Sequence, residues 1–155
     1  DFLFAQGSTS GLGSVRFHDY RPTYAAYAHV PNVAAFSGQI EALRELLTQA
    51  GPDEHQGKDI DYLLALGDCF TTVVYGHLIL ENAEHFGADD ALLDQMFDVF
   101  VRDLNHYAMT VYGKASNSAR QREKALALVA APVADEARFT EIWDRVNALV
   151  GVYGG

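Results

Sequence analysis

The 155-residue sequence has one cysteine and few basic side chains, and both shortages exclude classes of protein. A single cysteine, Cys69, rules out a framework of disulfides within one chain and fits a reducing compartment. Its position inside an apolar run favours a small core residue over a nucleophile. We therefore expect a cytoplasmic protein of one domain, with a core that is large enough to stabilise it.

Basic residues are outnumbered: 11 Lys and Arg stand against 21 Asp and Glu, for a formal net charge of -10. Nucleic-acid binding depends on Lys and Arg to neutralise phosphates, so we expect no nucleic-acid partner. The same shortage argues against a helix lying on a membrane surface. The longest apolar run, residues 62–85, carries Asp68, Glu81 and Glu84, which makes it a poor membrane span.

Nucleotide-binding loops are also missing from the glycine- and serine-rich N-terminal segment, DFLFAQGSTSGLGS. A Walker A loop needs Gly-Lys-Ser/Thr, whereas the chain has Gly13-Ser14-Val15. A dinucleotide fingerprint needs a third glycine where Arg16 stands, and the GSTSG stretch has threonine where a nucleophile elbow needs serine. We interpret this segment as a flexible linker.

Helical spacing of apolar residues organises the rest of the chain. Tyrosines at near-helical intervals in segment 16–31, with Pro22 suited to a first turn, predict a short helix. We therefore divide the chain into a linker and short helix at 1–30 and a helical bundle domain at 31–155. Three apolar stripes predict further helices: Val33, Phe36, Ile40, Leu43 and Leu47; Leu93, Met96, Phe97, Phe100, Val101, Leu104, Ala108 and Val111; and Phe139, Ile142, Trp143, Val146 and Val150.

Start and stop signals separate these helices from one another. Short polar side chains favour helix starts, and glycine favours helix ends. The predicted caps are Asn32, Asp89 or Asp90, and Ser118 with Gln121 in a capping box, and the predicted stops are Gly51, Gly87 and Gly113.

The helix predicted over residues 58–85 is the most apolar of the chain. Its apolar residues spread beyond a single stripe, which is typical of a helix buried by several neighbours. We interpret it as the central helix of an all-α, up-and-down antiparallel bundle of four to six helices. Gly67 and Gly76 lie inside it and predict close helix contacts, because glycine otherwise weakens a helix.

Metal-ligating side chains gather on this helix and on the next one. Asp103 and His106 have the i, i+3 spacing used in di-iron bundles, with aspartate in the place of glutamate. A second such pair is missing, so we expect these groups to cap, to form ion pairs or to face water, and we assign no catalytic, cofactor-binding or metal residue. The whole candidate set is His77, Glu81, Glu84, His85, Asp103 and His106.

Glu81 is also a candidate general base if it is buried, since burial raises a carboxyl pKa. The sequence offers it no second catalytic partner. We therefore prefer a glutamate held in a polar pair to a catalytic one.

Two segments resemble a known family. ALGDCFTTVVYGHLILENAE at 65–84 and DQMFDVFVRDLNHYAMTVYGK at 94–114 resemble the C-terminal helical region of large acyl-CoA dehydrogenase-like proteins of actinobacterial type. The opening DFLF resembles the segment that follows the last catalytic loop of such proteins. The resemblance is clearest over residues 65–114 and weaker across 118–153.

The resemblance implies an appended domain of a flavoprotein oxidoreductase. In that family FAD binds between a small sheet domain and two helical domains, and a glutamate in a late loop removes the substrate α-proton. This sequence has no sheet-forming region, no Gln-x-x-Gly-Gly flavin motif and no Tyr-Glu-Gly-Thr loop. No catalytic or FAD residue of the family therefore carries over, and FAD is expected only in a full-length parent.

Two functional hypotheses follow. The first is a non-catalytic C-terminal helical domain that serves packing and oligomerisation, either as a homodimer or against the rest of a parent dehydrogenase. In that case we expect the Trp143 helix to make the contact, since it is terminal and Trp is enriched at interfaces. The alternative is a free-standing helical bundle that binds a small ligand or a metal between its central helices.

Overall fold

The computed structural model describes residues 19–152. Within this range the chain forms six α-helices and no strand, which confirms the predicted all-α bundle. The predicted linker over residues 1–18 and the last three residues of the tail lie outside the described residues. The helices are α1 (Tyr20–Ala26), α2 (Pro31–Gln49), α3 (Ile60–Phe86), α4 (Asp90–Tyr112), α5 (Ala119–Leu126) and α6 (Glu136–Ala148), with a 3₁₀ turn (Gln56–Lys58) before α3.

Local sequence signals set several helix ends, as predicted. At the start of α4 the Asp89 side chain accepts a hydrogen bond from the backbone N–H of Leu92. Ser118 and Gln121 form a reciprocal capping box at the start of α5. Gly87 ends α3 with a φ of 65°, a left-handed conformation that favours glycine.

Asn32 is not the N-cap of α2, so that prediction is wrong. The helix begins one residue earlier, at Pro31, and Val30 is the N-cap without any side-chain hydrogen bond. Proline suits the first helical position because no hydrogen bond is expected from its nitrogen there. The buried side chain of Asn32 is therefore available for a tertiary contact, and its amide donates to the Asp94 carboxylate at 2.9 Å.

The central helix of the bundle is α4, which packs against α2, α3, α5 and α6. Asn32 lies opposite Asp94, and Gln39 donates to Asn105 at 2.9 Å. Because both contact points advance along the chain together, α2 and α4 run parallel. The core lies where the buried faces of α2, α3, α4 and α5 meet.

The prediction that residues 58–85 form the central helix is wrong in its placement. α3 runs antiparallel to α4, with Tyr75 against Phe100 at one level and Tyr62 bonded to Asn117 at another. One face of α3, which includes Cys69, is buried against α1, α4 and the 3₁₀ turn. The opposite face is exposed, so α3 lies at an edge of the part of the bundle that the structure describes.

The two glycines of α3 differ in their surroundings. A Cβ at Gly76 would lie 2.9 Å from Cε1 of Phe36 and 3.1 Å from the Tyr24 hydroxyl, which confirms the predicted close contact there. At Gly67 no atom of the described chain lies within 4 Å of the Cβ position. The close contact predicted at Gly67 is therefore not made by these residues, and this glycine lies on the exposed side of α3.

Candidate interaction surface

The exposed side of α3 carries a largely apolar seam, with Thr71 as its one polar member. Ile60 is 74% exposed, Leu64 is 62% exposed and Tyr75 is 60% exposed, which are high values for residues of this type. We call the α3 face the set of residues Ile60, Leu63, Leu64, Gly67, Thr71, Val74, Tyr75 and Leu78.

The spacing within the α3 face is that of a coiled-coil seam. From Ile60 to Leu78, the steps through Leu64, Gly67, Thr71 and Val74 alternate between four and three residues. Apolar residues at this spacing form a narrow stripe along one side of a helix. In coiled coils such a stripe packs against another helix. Nothing in the described part of the chain covers it.

Charged groups lie beside this seam and not within it. Asp61 pairs with Lys114, two residues beyond the end of α4, and Asp68 lies on the side that faces α4. The first charged residue at a seam position is Glu81, one turn beyond Leu78. The seam positions from Ile60 to Leu78 carry no charge themselves, and the exposed Asp68 borders them next to Gly67.

By length and composition alone, α3 is also long and apolar enough to cross a membrane. Core helices of soluble proteins pass the same test, and α3 has a face packed against α1 and α4. The expectations of a cytoplasmic location and of no membrane partner therefore stay predictions.

A second exposed apolar surface lies on α6. Trp143 is 56% exposed, and its ring stacks on that of Phe139 with the centroids 6.2 Å apart. Of the five residues of the apolar stripe predicted for this helix, only Ile142 is buried, and Val150 lies beyond the end of α6. This helix offers a shorter apolar surface than α3, and the prediction that Trp143 makes a contact between copies remains a prediction.

A buried ion-pair network holds α6 to α4, and the sequence analysis missed it. The Arg138 guanidinium donates to Asp98 at 3.0 Å and also to Asp94, while its Nε donates to Gln95 at 3.2 Å. Asp94 and Asp98 sit one helical turn apart beside the apolar stripe of α4. The spacing of the two aspartates could have indicated a buried ion pair. Their partner, Arg138, could not be identified from the sequence, because it lies 40 residues beyond Asp98.

His77, on the buried face of α3, lies next to Glu81, which is one helical turn further along and exposed. His77 Nε2 lies 3.3 Å from a Glu81 carboxylate oxygen, and the Glu81 side chain is partly exposed. Glu81 is thus in a polar pair, as preferred, and it is not a deeply buried base. The His77 ring also faces Tyr24, whose pKa burial raises far above its ordinary value, so that hydroxyl stays protonated at neutral pH.

The remaining metal candidates are spread over the surface. Glu84 and His85 lie on the exposed end of α3, and Asp103 and His106 lie on the exposed side of α4. Within residues 19–152, no group of three or more His, Cys, Asp or Glu side chains is close enough to hold a metal ion.

An open cleft of about 260 Å³ lies between α3 and α4. It is slightly smaller than typical small-molecule sites, which begin at roughly 300 Å³. Thr71 and Tyr75 line the cleft and also belong to the α3 face, so the cleft extends that surface towards α4. The other lining residues are Asp68, Thr72, Phe100, Asp103 and Tyr107.

The described side chains thus supply a contact surface more clearly than they supply a reaction centre. Several of their polar groups lie in helix caps, in the Arg138 network or in the His77–Glu81 contact, whereas the buried Tyr24 hydroxyl and His77 Nε2 have no hydrogen-bond partner among the described residues. No family model, curated protein or solved structure matches the chain.

Proposed function

We propose that the chain is a non-catalytic helical domain whose role is packing and oligomerisation. The observation that carries this proposal is the α3 face, a charge-free seam of helical spacing that the described chain leaves open. Contiguous apolar patches of several hundred Å² are typical of interaction sites on soluble proteins. The function is association through this face.

A closed dimer is the form that we propose. Isologous contacts cover the same patch on both copies at once. The net charge of -10 opposes open-ended aggregation, because copies of like charge repel one another. A closed dimer covers the seam on both copies and leaves no open seam for further copies to add.

The proposed setting is a longer protein that resembles the acyl-CoA dehydrogenases. The two segments that carry this resemblance, 65–84 and 94–114, coincide with most of α3 and α4. In this proposal FAD and the catalytic groups belong to the rest of such a parent. This domain contributes contact surface to the assembly.

The alternative, a free-standing bundle with a small ligand or a metal, would use the cleft between α3 and α4. Asp68 and Asp103 both line it and would favour a cation or a ligand with a donor group. Absorption spectra and elemental analysis of the purified chain test this alternative. Stoichiometric metal or a bound chromophore would support it, and the packing proposal predicts neither.

Light scattering over a hundredfold dilution series tests the packing proposal. The expected mass is near twice 17.0 kDa at micromolar concentration and falls towards the monomer on dilution. Leu78→Lys should shift this transition to at least tenfold higher concentration, because it places a charge in the seam. A strictly monomeric mass throughout the series would reject the proposal.

The matched control is Met109→Lys on α4. Met109 is 46% exposed and Leu78 is 45% exposed, so the two substitutions add the same charge at equally accessible positions. Met109→Lys should leave the mass profile unchanged. An equal effect of both variants would attribute the change to net charge and not to the α3 face.

A further inference from the structure

The walls of the open cleft between α3 and α4 carry carboxylates, hydroxyls and aromatic rings. The carboxylates are Asp68 of α3 and Asp103 of α4, and the rings are those of Tyr75, Phe100 and Tyr107. Among the described residues that line the cleft there is no basic side chain and no side-chain amide. We propose that this cleft binds a small organic cation, namely an ammonium group on a short aliphatic body.

The two carboxylates of the cleft have no counter-charge on the protein. Within residues 19–152 neither Asp68 nor Asp103 forms an ion pair, and Arg102, which precedes Asp103, is paired with Asp98 instead. Both aspartates are exposed, so a ligand can reach them. A cleft lined by charges of one sign concentrates ions of the opposite sign, which favours a positively charged ligand.

Thr72 adds a buried acceptor to the same wall. It is 8% exposed, and its hydroxyl donates to the backbone carbonyl oxygen of Asp68 at 2.9 Å. Because the hydroxyl proton is committed to that bond, the oxygen can only accept a further hydrogen bond from the cleft. A ligand that contacts Thr72 must therefore supply a donor, as an ammonium group does.

The aromatic rings favour an organic cation over a metal ion. The rings of Tyr75 and Phe100 have centroids 6.0 Å apart and planes inclined by 75°, so they form adjoining walls and not a parallel stack that would cover the facing sides of both rings. Ammonium groups bind over the faces of such rings, and aliphatic carbons pack against them. A metal ion needs several ligands that converge on one point, and the described residues contain no group of three or more such side chains.

The relative levels of the two aspartates fit a short ligand that lies along the cleft. Because α3 and α4 run antiparallel with Tyr75 against Phe100, Asp103 lies at the level of Thr72. Asp68 is four residues from Thr72, and so the carboxylates lie on opposite walls about 6 Å apart along the helix axis. A short aliphatic chain with an ammonium group at each end can contact both of them.

Nuclear magnetic resonance titration of the whole chain with putrescine, a four-carbon chain with an ammonium group at each end, tests the site. The expected result is a saturable shift of the backbone amide signals of Thr71, Thr72 and Asp103. The diol of the same chain length is the control for the aliphatic part, and it should cause no saturable shift. The absence of a saturable shift with putrescine would overturn the proposal.

Substitutions of single aspartates test which groups hold the ammonium. Asp68→Asn and Asp103→Asn should each weaken putrescine binding by about tenfold or more, because each removes a charge-assisted hydrogen bond. Asp144→Asn on α6 is the matched control, since Asp144 is also exposed and forms no ion pair with a described residue. It should leave the affinity unchanged. Equal losses in all three variants would attribute binding to net charge and would reject the site.

Two further comparisons separate an organic cation from other occupants. Tyr75→Leu should weaken putrescine binding by about two- to fivefold, because it removes a ring at an exposed position. An unchanged affinity would contradict the aromatic part of the site. Saturable shifts of the same signals with Mg²⁺ at equal ionic strength, lost in Asp103→Asn, would replace the organic cation by an inorganic one and would overturn the proposal.

This site does not rest on the proposed association. Asp103 lies on α4 and outside the α3 face, so Asp103→Asn should lose affinity for putrescine and keep the mass profile of the parent chain on dilution. A failed titration therefore rejects the cation site alone, and a monomeric mass at all concentrations rejects the packing proposal alone.

Discussion

The guanidinium of Arg138 donates to the Asp98 carboxylate at 3.0 Å and joins α6 to α4 through a pair that solvent hardly reaches. The same guanidinium also binds Asp94. Replacing it in an Arg138→Met variant would leave the buried Asp94 carboxylate without its cation and would leave Asp98 paired only with Arg102. Breaking a buried pair in this way typically removes about 3–5 kcal/mol of unfolding free energy. Urea denaturation should show a loss of that order.

The control for this prediction is Arg145→Met, which lies on the same helix. Arg145 pairs with Asp89 at 2.8 Å, but both side chains are substantially exposed. An exposed pair of this kind contributes less than about 1 kcal/mol. Similar losses in the two variants would show that the burial of Arg138 adds nothing.

Gly76→Ala should destabilise the fold although alanine is the better helix former. The new methyl group would lie 2.9 Å from Cε1 of Phe36, inside a cluster of aromatic rings. Overpacking of a core costs about 1–3 kcal/mol, which exceeds the gain of about 1 kcal/mol from replacing a helical glycine. Thermal or urea unfolding would measure the net loss.

Gly38→Ala provides the reference for that measurement. No atom of the described chain lies within 4 Å of its Cβ position, so only the helix-propensity gain remains. We expect a rise in stability of up to about 1 kcal/mol. If Gly76→Ala were stabilising to the same extent, the close approach of α3 to Phe36 would be refuted.

Tyr24→Phe and Tyr20→Phe should have different effects. The buried Tyr24 hydroxyl has no hydrogen-bond partner among residues 19–152, so its removal should be neutral or slightly stabilising. Tyr20 donates a hydrogen bond to Glu41, and its removal should cost about 1 kcal/mol. Chemical denaturation of both variants measures the difference. A larger loss for Tyr24→Phe would mean that its hydroxyl is bonded.

Stability should fall as the pH rises from about 9 to 12. Burial raises the pKa of Cys69 to about 12, and burial together with the hydrogen bond to Glu41 raises the pKa of Tyr20 to about 12. The unfolded chain releases these protons at ordinary pKa values of about 8.5 and 10, whereas the folded chain retains them. The urea midpoint should therefore decrease with pH across this window. A midpoint that stays constant to pH 11 would contradict these shifts.

The Cys69→Ala variant measures how much of the loss of stability at high pH comes from ionisation of the Cys69 thiol. Of Cys69 and Tyr20, only the Cys69 thiol has an ordinary pKa below 9, so the variant should lose less stability between pH 8 and pH 10 than the parent chain. The expected difference is in slope, because alanine at a fully buried position also lowers the stability at neutral pH.

Amphipathic patterns and caps predicted most of the fold. The stripe from Leu93 to Val111 predicts α4 as it is found, because a strong contrast between two faces fixes which side is buried. The glycine after α3 and the Ser118 capping box act through neighbouring residues only, so they can be identified from short segments. These features depend on local physics.

The sequence did not predict how α3 is placed. Its apolar residues surround the helix, so hydrophobicity alone does not say which face is covered, and its abundance of apolar residues suggested the centre of the bundle. Asn32 and Arg138 were missed for a related reason. Their partners Asp94 and Asp98 are distant in the chain, and a polar residue that forms a tertiary bond has the same local sequence signature as one facing water.

The segment between α2 and α3 is closed by a pair of side-chain amides. Gln56 and Gln121 donate to each other at 3.2 and 2.8 Å, and Tyr62 donates to Asn117 at 2.9 Å just beyond the turn. Exchange of α1 and α2 between two copies would require this segment to open as a hinge, which would break the two bonds of the glutamine pair. We therefore expect each chain of the proposed dimer to keep its own helices, and the partners to separate on dilution without unfolding.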